Sequence, residues 1–351
     1  MNRNEKKWMM AALALCLAGS SIGLSTGCKK QDENKTASVE STAAASADSV
    51  KEGTLNPDTV IMAVGNEKVS LREVMFYVYY LQKQYESGFG TDLWNYQMNE
   101  EKTVEDYMKE QIVQEIAEVK VISDKAEKEG YTLSAEEENE ARTKAAEFLK
   151  SVPENEQKEY GFTQELIEHI YKEHALVQKT YDIVCGKVNT AISDEEAKQI
   201  TVQVLAVLTQ GEDRNGKTVN MDENAKKTAK KRAETFLKEA KKTESFAAFA
   251  ESNSDLKQVE YTFGKDNVPE EFGETAMTLS TGEYSNVIEG ESGYYIVYCA
   301  NDFDKEKTTA KKEEMIETEQ VKLFQDTYTK WSADYETVVS KTLLKQIKMR
   351  E

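Results

Sequence analysis

This chain of 351 residues offers a short list of side chains that could do chemistry. Its two histidines, His169 and His174, fall close together on what reads as one helix. Its four cysteines, Cys16, Cys28, Cys185 and Cys299, stand far apart. There is no CxxC pair and no Cys/His cluster, so no metal site is expected, and no cofactor. Cys185 and Cys299 lie in apolar surroundings and read as small core residues, although a bridge between them is open to a protein outside the cytoplasm. Cys28 differs: it closes an apolar run and is followed at once by polar residues.

That run sets the address. Arg3, Lys6 and Lys7 make a positive start, and Trp8 to Leu24 is apolar but too short, and too rich in Gly and Ser near its end, for a membrane span. Leu24-Ser-Thr-Gly-Cys28 resembles the bacterial lipobox, in which the cysteine receives diacylglycerol and becomes the mature N-terminus. Ser25 departs from the usual aliphatic residue, and a plain secretory signal cleaved nearby is the alternative. Residues 1–27 are therefore expected to be a signal and residues 28–58 a flexible tether, too poor in apolar side chains to offset the entropy of ordering. The formal charge of −19 argues against nucleic acid and against broad contact with an anionic bilayer.

The elements that must position any site follow in order. Thr59 to Val64 and Lys68 to Ser70, turning at Gly65-Asn66, read as a hairpin. Ser70-Leu-Arg-Glu73 has the spacing of a capping box, and opens a helix rich in aromatics (Phe76, Tyr77, Tyr79, Tyr80) that serves as a core face or as an apolar groove for unfolded chain. Thr103, Ser134 and Thr163 are expected to cap three further helices, the first stopping near Gly130 and the second before Pro153. Ser193-Asp-Glu-Glu196 opens a short lead-in helix, and Ile200 to Thr209 alternates as a strand. From Lys311 to Val338 an amphipathic segment reads as helix, with too little partner inside itself.

Between Ile200 and Asp304 three blocks recur in a definite order. They are Phe246-Ala-Ala-Phe-Ala-Glu-Ser-Asn-Ser254, Leu279-Ser-Thr-Gly-Glu-Tyr-Ser285 and Gly293-Tyr-Tyr-Ile-Val297. Together they resemble a parvulin-type peptidyl-prolyl isomerase domain. The helix-rich N-terminal region that begins with a hairpin resembles, in layout, the chaperone region of SurA-type and PrsA-type foldases. The fold class this implies is α+β: a helical, SurA N-terminal-like region completed by a C-terminal helix, with a small parvulin-like α/β domain inserted. The expected boundaries are 59–195, 196–304 and 305–351.

Prolyl isomerisation crosses a barrier of about 18–20 kcal/mol because the amide must lose its resonance. A catalyst needs an apolar slot for the ring and a donor aimed at the twisted amide, with no metal. The resemblance assigns the slot to Phe263, Val268, Phe272 and Leu279, of which at least half also read as packing. It places the family's two floor histidines at Ala206 and Tyr295, so both are missing. Tyr295 is the expected substitute donor. The family's Cys or Asp falls at Asp255 or Leu256; Asp255 is the better candidate, with a helix-ending or turn aspartate as its alternative reading. The family's glycine-rich segment is replaced by Gln258-Val-Glu-Tyr-Thr-Phe263.

The expectation is a lipid-anchored extracytoplasmic foldase acting on unfolded or newly secreted polypeptides, as isomerase plus chaperone. The alternative is a non-enzymatic holdase carrying a degenerate parvulin domain. A solute-binding lipoprotein fits the tether but would need repeated βα units, which are not visible. Long helices with wide apolar faces leave a homodimer open.

Overall fold

The computed structural model describes residues 56–100, 102–212 and 217–349. The signal at 1–27, Cys28 and most of the 28–58 tether lie outside the described residues. The chain divides into two compact units, one spanning residues 1–187 together with 320–351 and the other 188–319.

The first unit opens with β1 (Val60–Val64) and β2 (Glu67–Ser70), paired antiparallel as the alternation predicts. Helix α1 (Leu71–Phe89) follows, but not through a capping box: the Ser70 side chain makes no cap bond. Glu73 turns inward instead, to an ion pair with Lys120, and a carboxylate held there cannot reach back to Ser70. Three aromatics of α1 form core. Phe76, Tyr77 and Tyr79 are buried, and Phe76 meets Tyr77, Phe148 and Tyr171 edge-on at centroid distances of 5.0 to 6.0 Å, the geometry aromatic quadrupoles favour.

Helix α2 (Val104–Lys128) carries a reciprocal capping box between Thr103 and Asp106, and α3 (Ala135–Ser151) one between Ser134 and Glu137. After the short α4 (Glu154–Tyr160), α5 (Gln164–Cys185) starts from a Thr163 cap. At a helix start the first amide groups have no internal acceptor, so these local side chains fix where each helix begins.

In the second unit α6 (Asp194–Ala197) leads into β3 (Ile200–Leu208). Strands β4 (Gln210–Glu212) and β5 (Thr218–Asn220) form a small ribbon. Helices α7 (Glu223–Ala240) and α8 (Phe246–Asn253) precede β6 (Glu260–Phe263) and the one-turn α9 (Gly273–Ala276). Strand β7 (Ile288–Glu289) and β8 (Gly293–Asn301) complete an antiparallel sheet of order β6-β3-β8-β7. Strand alternation sends Leu205, Val207, Tyr294 and Ile296 to one face, under Ala229, Ala233, Phe246 and Ala250 of α7 and α8. It sends Val202, Val204, Ala206, Tyr295 and Val297 to the other, where Phe263, Phe272 and Ala276 pack.

The last long helix, α10 (Lys305–Ser332), starts in the second unit and ends in the first. Its early residues belong to the second unit through specific bonds. Gln199 N–H donates to Thr308 Oγ1 at 3.0 Å, Asp304 N–H donates to the Gln199 carbonyl, and Lys311 and Lys312 pair with Asp266 and Asp194. This is why that unit extends past the expected boundary at Asp304. The helix also stops earlier than its amphipathic pattern predicts. Thr337–Val339 form β9, paired antiparallel with β1, and α11 (Lys341–Gln346) follows. The β-branched run Thr337-Val338-Val339 suits a strand, and the edge of β1 supplies the hydrogen bonds. Ile347 and Met349 are buried in the same core. Cys185 and Cys299 are both free, buried thiols. Among the described residues no helix is long and apolar enough to cross a membrane.

Candidate functional site

The two serines that end the quoted blocks serve the sheet. Beyond β6 the outer edge of β3 has open N–H groups, and the segment after α8 satisfies them. Ser254 Oγ accepts from Ala206 N–H at 3.0 Å, and the Asp255 carboxylate accepts from Leu208 N–H at 2.9 Å. Ser285 does the same for β8: its Oγ accepts from Val297 N–H at 2.9 Å, and its own N–H donates back to the Val297 carbonyl. In the turn of that block Gly282 has φ +89°, a conformation that side chains with a Cβ rarely adopt.

Asp255 is thus a strand-edge partner. Its carboxylate also pairs with Arg232 of α7 at 3.2 Å. The other sequence-chosen residues gather on the opposite sheet face. Phe263, Phe272 and Tyr295 belong to one buried cluster, with Val268 and Leu279 partly buried against it. Ala206 and Tyr295, the positions where the resemblance expects histidine, stand directly opposite each other on β3 and β8. Ring centroids lie 5.8 Å apart for Phe272 and Tyr295 and 5.2 Å apart for Tyr261 and Phe272. Phe263, Phe272 and Tyr295 are no more than 6% exposed. Tyr261, Val268, Met277 and Leu279 are among the half-buried, accessible residues of this face, with Leu208, Leu256 and Ile288.

Burial, then the neighbouring Glu271 charge, push the Tyr295 pKa up to about 12, so its hydroxyl stays protonated beside the Glu271 carboxylate. That carboxylate accepts from Glu291 N–H at 2.7 Å and Ser292 N–H at 3.0 Å. Sequence reasoning missed Glu271. Its one signal was its place immediately before Phe272, and glutamate in a charged loop ordinarily faces solvent. Among the described residues no group of three or more His, Cys, Asp or Glu could hold a metal ion.

Three comparisons bear on this geometry. Residues 214–301 match the rotamase family model of the PPIC-type PPIase domain, a span that holds Asp255, Phe263, Val268, Phe272, Leu279 and Tyr295. The foldase protein PrsA of Clostridium botulinum is 25% identical over 241 residues, covering 63% of this chain and 69% of that protein. Among solved structures, PrsA from Bacillus subtilis is 19% identical, with a TM-score of 0.25 over 69% of this chain and 91% of that one. The foldase protein PrsA from Lactococcus lactis is 17% identical, with a TM-score of 0.32 over 83% and 99%. The matched rotamase span and its sequence blocks agree: residues 214–301 carry a parvulin, PPIC-type rotamase domain, in a chain that over a longer stretch is similar to PrsA foldases.

Proposed function

We propose that the protein acts outside the cytoplasm, tethered to the membrane by a lipid on Cys28, and assists the folding of exported polypeptides. Its rotamase domain would isomerise Xaa-Pro bonds on the face of Tyr261, Val268, Phe272, Met277 and Leu279, with Tyr295 in the floor. The observation that carries this reading is the convergence of those apolar and aromatic residues on one sheet face. An apolar surface beside a prolyl amide removes water and favours the twisted, less polar amide over the planar one. Asp255, bonded to Leu208 N–H and Arg232, would act by holding the β3 edge that forms the floor.

A second reading, a holdase whose rotamase domain only binds, is favoured by one observation: Tyr295, the residue that would replace the histidines, is buried, only 3% exposed. Direct exchange detection by NMR on a panel of Xaa-Pro peptides separates the two. Phe272 is core, and Phe272→Ala would leave a cavity, so Phe272→Leu and Leu279→Ala are the better probes. We expect catalysis by the full chain that falls about tenfold in each variant, a loss of about 1.4 kcal/mol of transition-state contact. No catalysis across the panel, with aggregation of an unfolded client still suppressed, would leave the holdase reading.

A further inference from the structure

We propose that Glu271 is the positioning residue of this face: it clamps the Gly290–Ser292 turn beside the Tyr295 ring so that the floor is formed before a peptide arrives. The inference rests on reading the face as a proline site. Two donors converge on one side chain: the N–H groups of Glu291 and Ser292, one on each carboxylate oxygen. A carboxylate has about four acceptor sites, so both fit, and each bond to it is charge-assisted.

Besides Glu271, the turn is held by Gly290 N–H to the Gly293 carbonyl and Thr209 N–H to the Ser292 carbonyl, each at 2.9 Å, and by Gln210 Nε2 to the Glu291 carbonyl at 3.4 Å, none of which reaches the Glu291 and Ser292 N–H groups. Strand β7 is two residues long, and its pairing with β8 reaches only Ile288↔Tyr295 and Glu289↔Tyr294. Gly290 shows how tight the clamp is. A Cβ there would stand 1.9 Å from Glu271 Oε2 and 3.0 Å from Tyr295 Cε2, so any larger residue would expel the carboxylate or the ring. Glu271 is also the immediate neighbour of Phe272. One stretch of backbone therefore delivers the carboxylate to the turn and the ring to Tyr295, and movement of either displaces the other. With the clamp open, the Tyr295 ring and the turn would have to be ordered by the incoming peptide, and binding would weaken by that ordering cost.

The test uses the full chain and NMR titration with proline-containing tetrapeptides. Glu271→Ala should weaken binding about tenfold, equivalent to about 1.4 kcal/mol. Gly290→Ala should do the same, and the double variant no more than either, because both break one clamp. Glu271→Gln, which keeps the length and one good acceptor, should recover part of the affinity; a role in stability alone would leave peptide affinity unmoved in every folded variant. Amide exchange at Glu291 and Ser292 should quicken in step with the loss. If Glu271→Ala does not fold, Glu271→Gln and Gly290→Ala carry the same comparison. Folded Glu271 variants that bind like the wild type would overturn the positioning role while leaving the proline site intact. A wild-type chain that binds none of the peptides would instead overturn the site itself, and the positioning role with it.

Discussion

Replacing Lys120 by methionine is expected to cost the first unit about 3–5 kcal/mol, the loss that follows when a buried charge is left without its partner. Lys120 of α2 is 5% exposed and lies between Glu73 of α1 at 2.6 Å and Glu173 of α5 at 2.8 Å. Burial works against the ammonium, but Glu173 and Glu73 outweigh it and hold its pKa above the ordinary value. Burial also pushes the Glu73 carboxyl up, against the pull of Lys120. Without the lysine, two buried carboxylates face each other, and one must take a proton or find water. The measurement is urea unfolding followed by tryptophan fluorescence: Trp94 and Trp331 lie in the first unit, and the second unit contains no tryptophan. Replacing Glu73, Lys120 and Glu173 together by apolar residues of similar size should recover most of the loss, because the triad's role is to avoid unpaired charge. A Lys120→Met chain that unfolds at the wild-type urea concentration would show that the carboxylates reach water and that the triad is not truly buried.

A second large effect is expected at Glu115, and it depends on pH. Glu115 of α2 is 8% exposed beside a cavity of about 50 Å³ lined by Val119, Ile122, Val177, Phe324 and Tyr328. Burial, then repulsion from Glu118, raise its pKa from 4.5 to about 7. The folded chain keeps this proton to higher pH than the unfolded chain. The resulting stability is full below pH 4.5 and is lost as pH rises through 7. Glu115→Gln should therefore match the wild type at pH 4 and exceed it by about 3 kcal/mol at pH 8. His174 pulls the other way. It is buried against the Tyr77 hydroxyl at 3.0 Å, and burial, then the Lys120 charge, lower its pKa from 6.5 to about 4. A histidine held neutral contributes stability above pH 6.5 that is lost as pH falls through 4. The same fluorescence experiment at pH 4 and pH 8 reads both groups. An equal gain from Glu115→Gln at the two pH values would exclude ionisation as its cause.

These two predictions concern groups that the sequence left unmarked, and the reason is common to both. Glu73, Glu115 and Lys120 stand on helices whose apolar residues read as the buried face, and nothing in the spacing marks these charged side chains as buried with them. Only the packing of α1, α2 and α5 takes them out of water. Spacing gives Glu73 a local job, as the partner of Ser70 in a capping box, because it cannot tell whether a glutamate bends back to its own helix or reaches a lysine on another. At Thr103, Ser134 and Ser193 the same spacing did predict the cap, since no buried cation competes for those acids.

What the sequence by itself determined is local or periodic. The grouping of Phe263, Val268, Phe272, Leu279 and Tyr295 is what the resemblance of the ordered blocks to a parvulin domain implied, whereas the β1–β2 hairpin, the helix starts and the alternation of β3 follow from period and turn residues. These interactions span a few residues, or repeat with a period that one strand imposes. What only the tertiary structure decided depends on partners far apart in the chain. The strand at Thr337–Val339 exists because β1 offers an edge, and a helical pattern gives way to it. Asp255 bonds the β3 edge because the backbone there has no strand beside it. Glu271 faces a turn twenty residues away, where two backbone N–H groups need an acceptor. Each of these residues answers an unpaired backbone group or a lost hydration shell, and both arise only once the chain has folded.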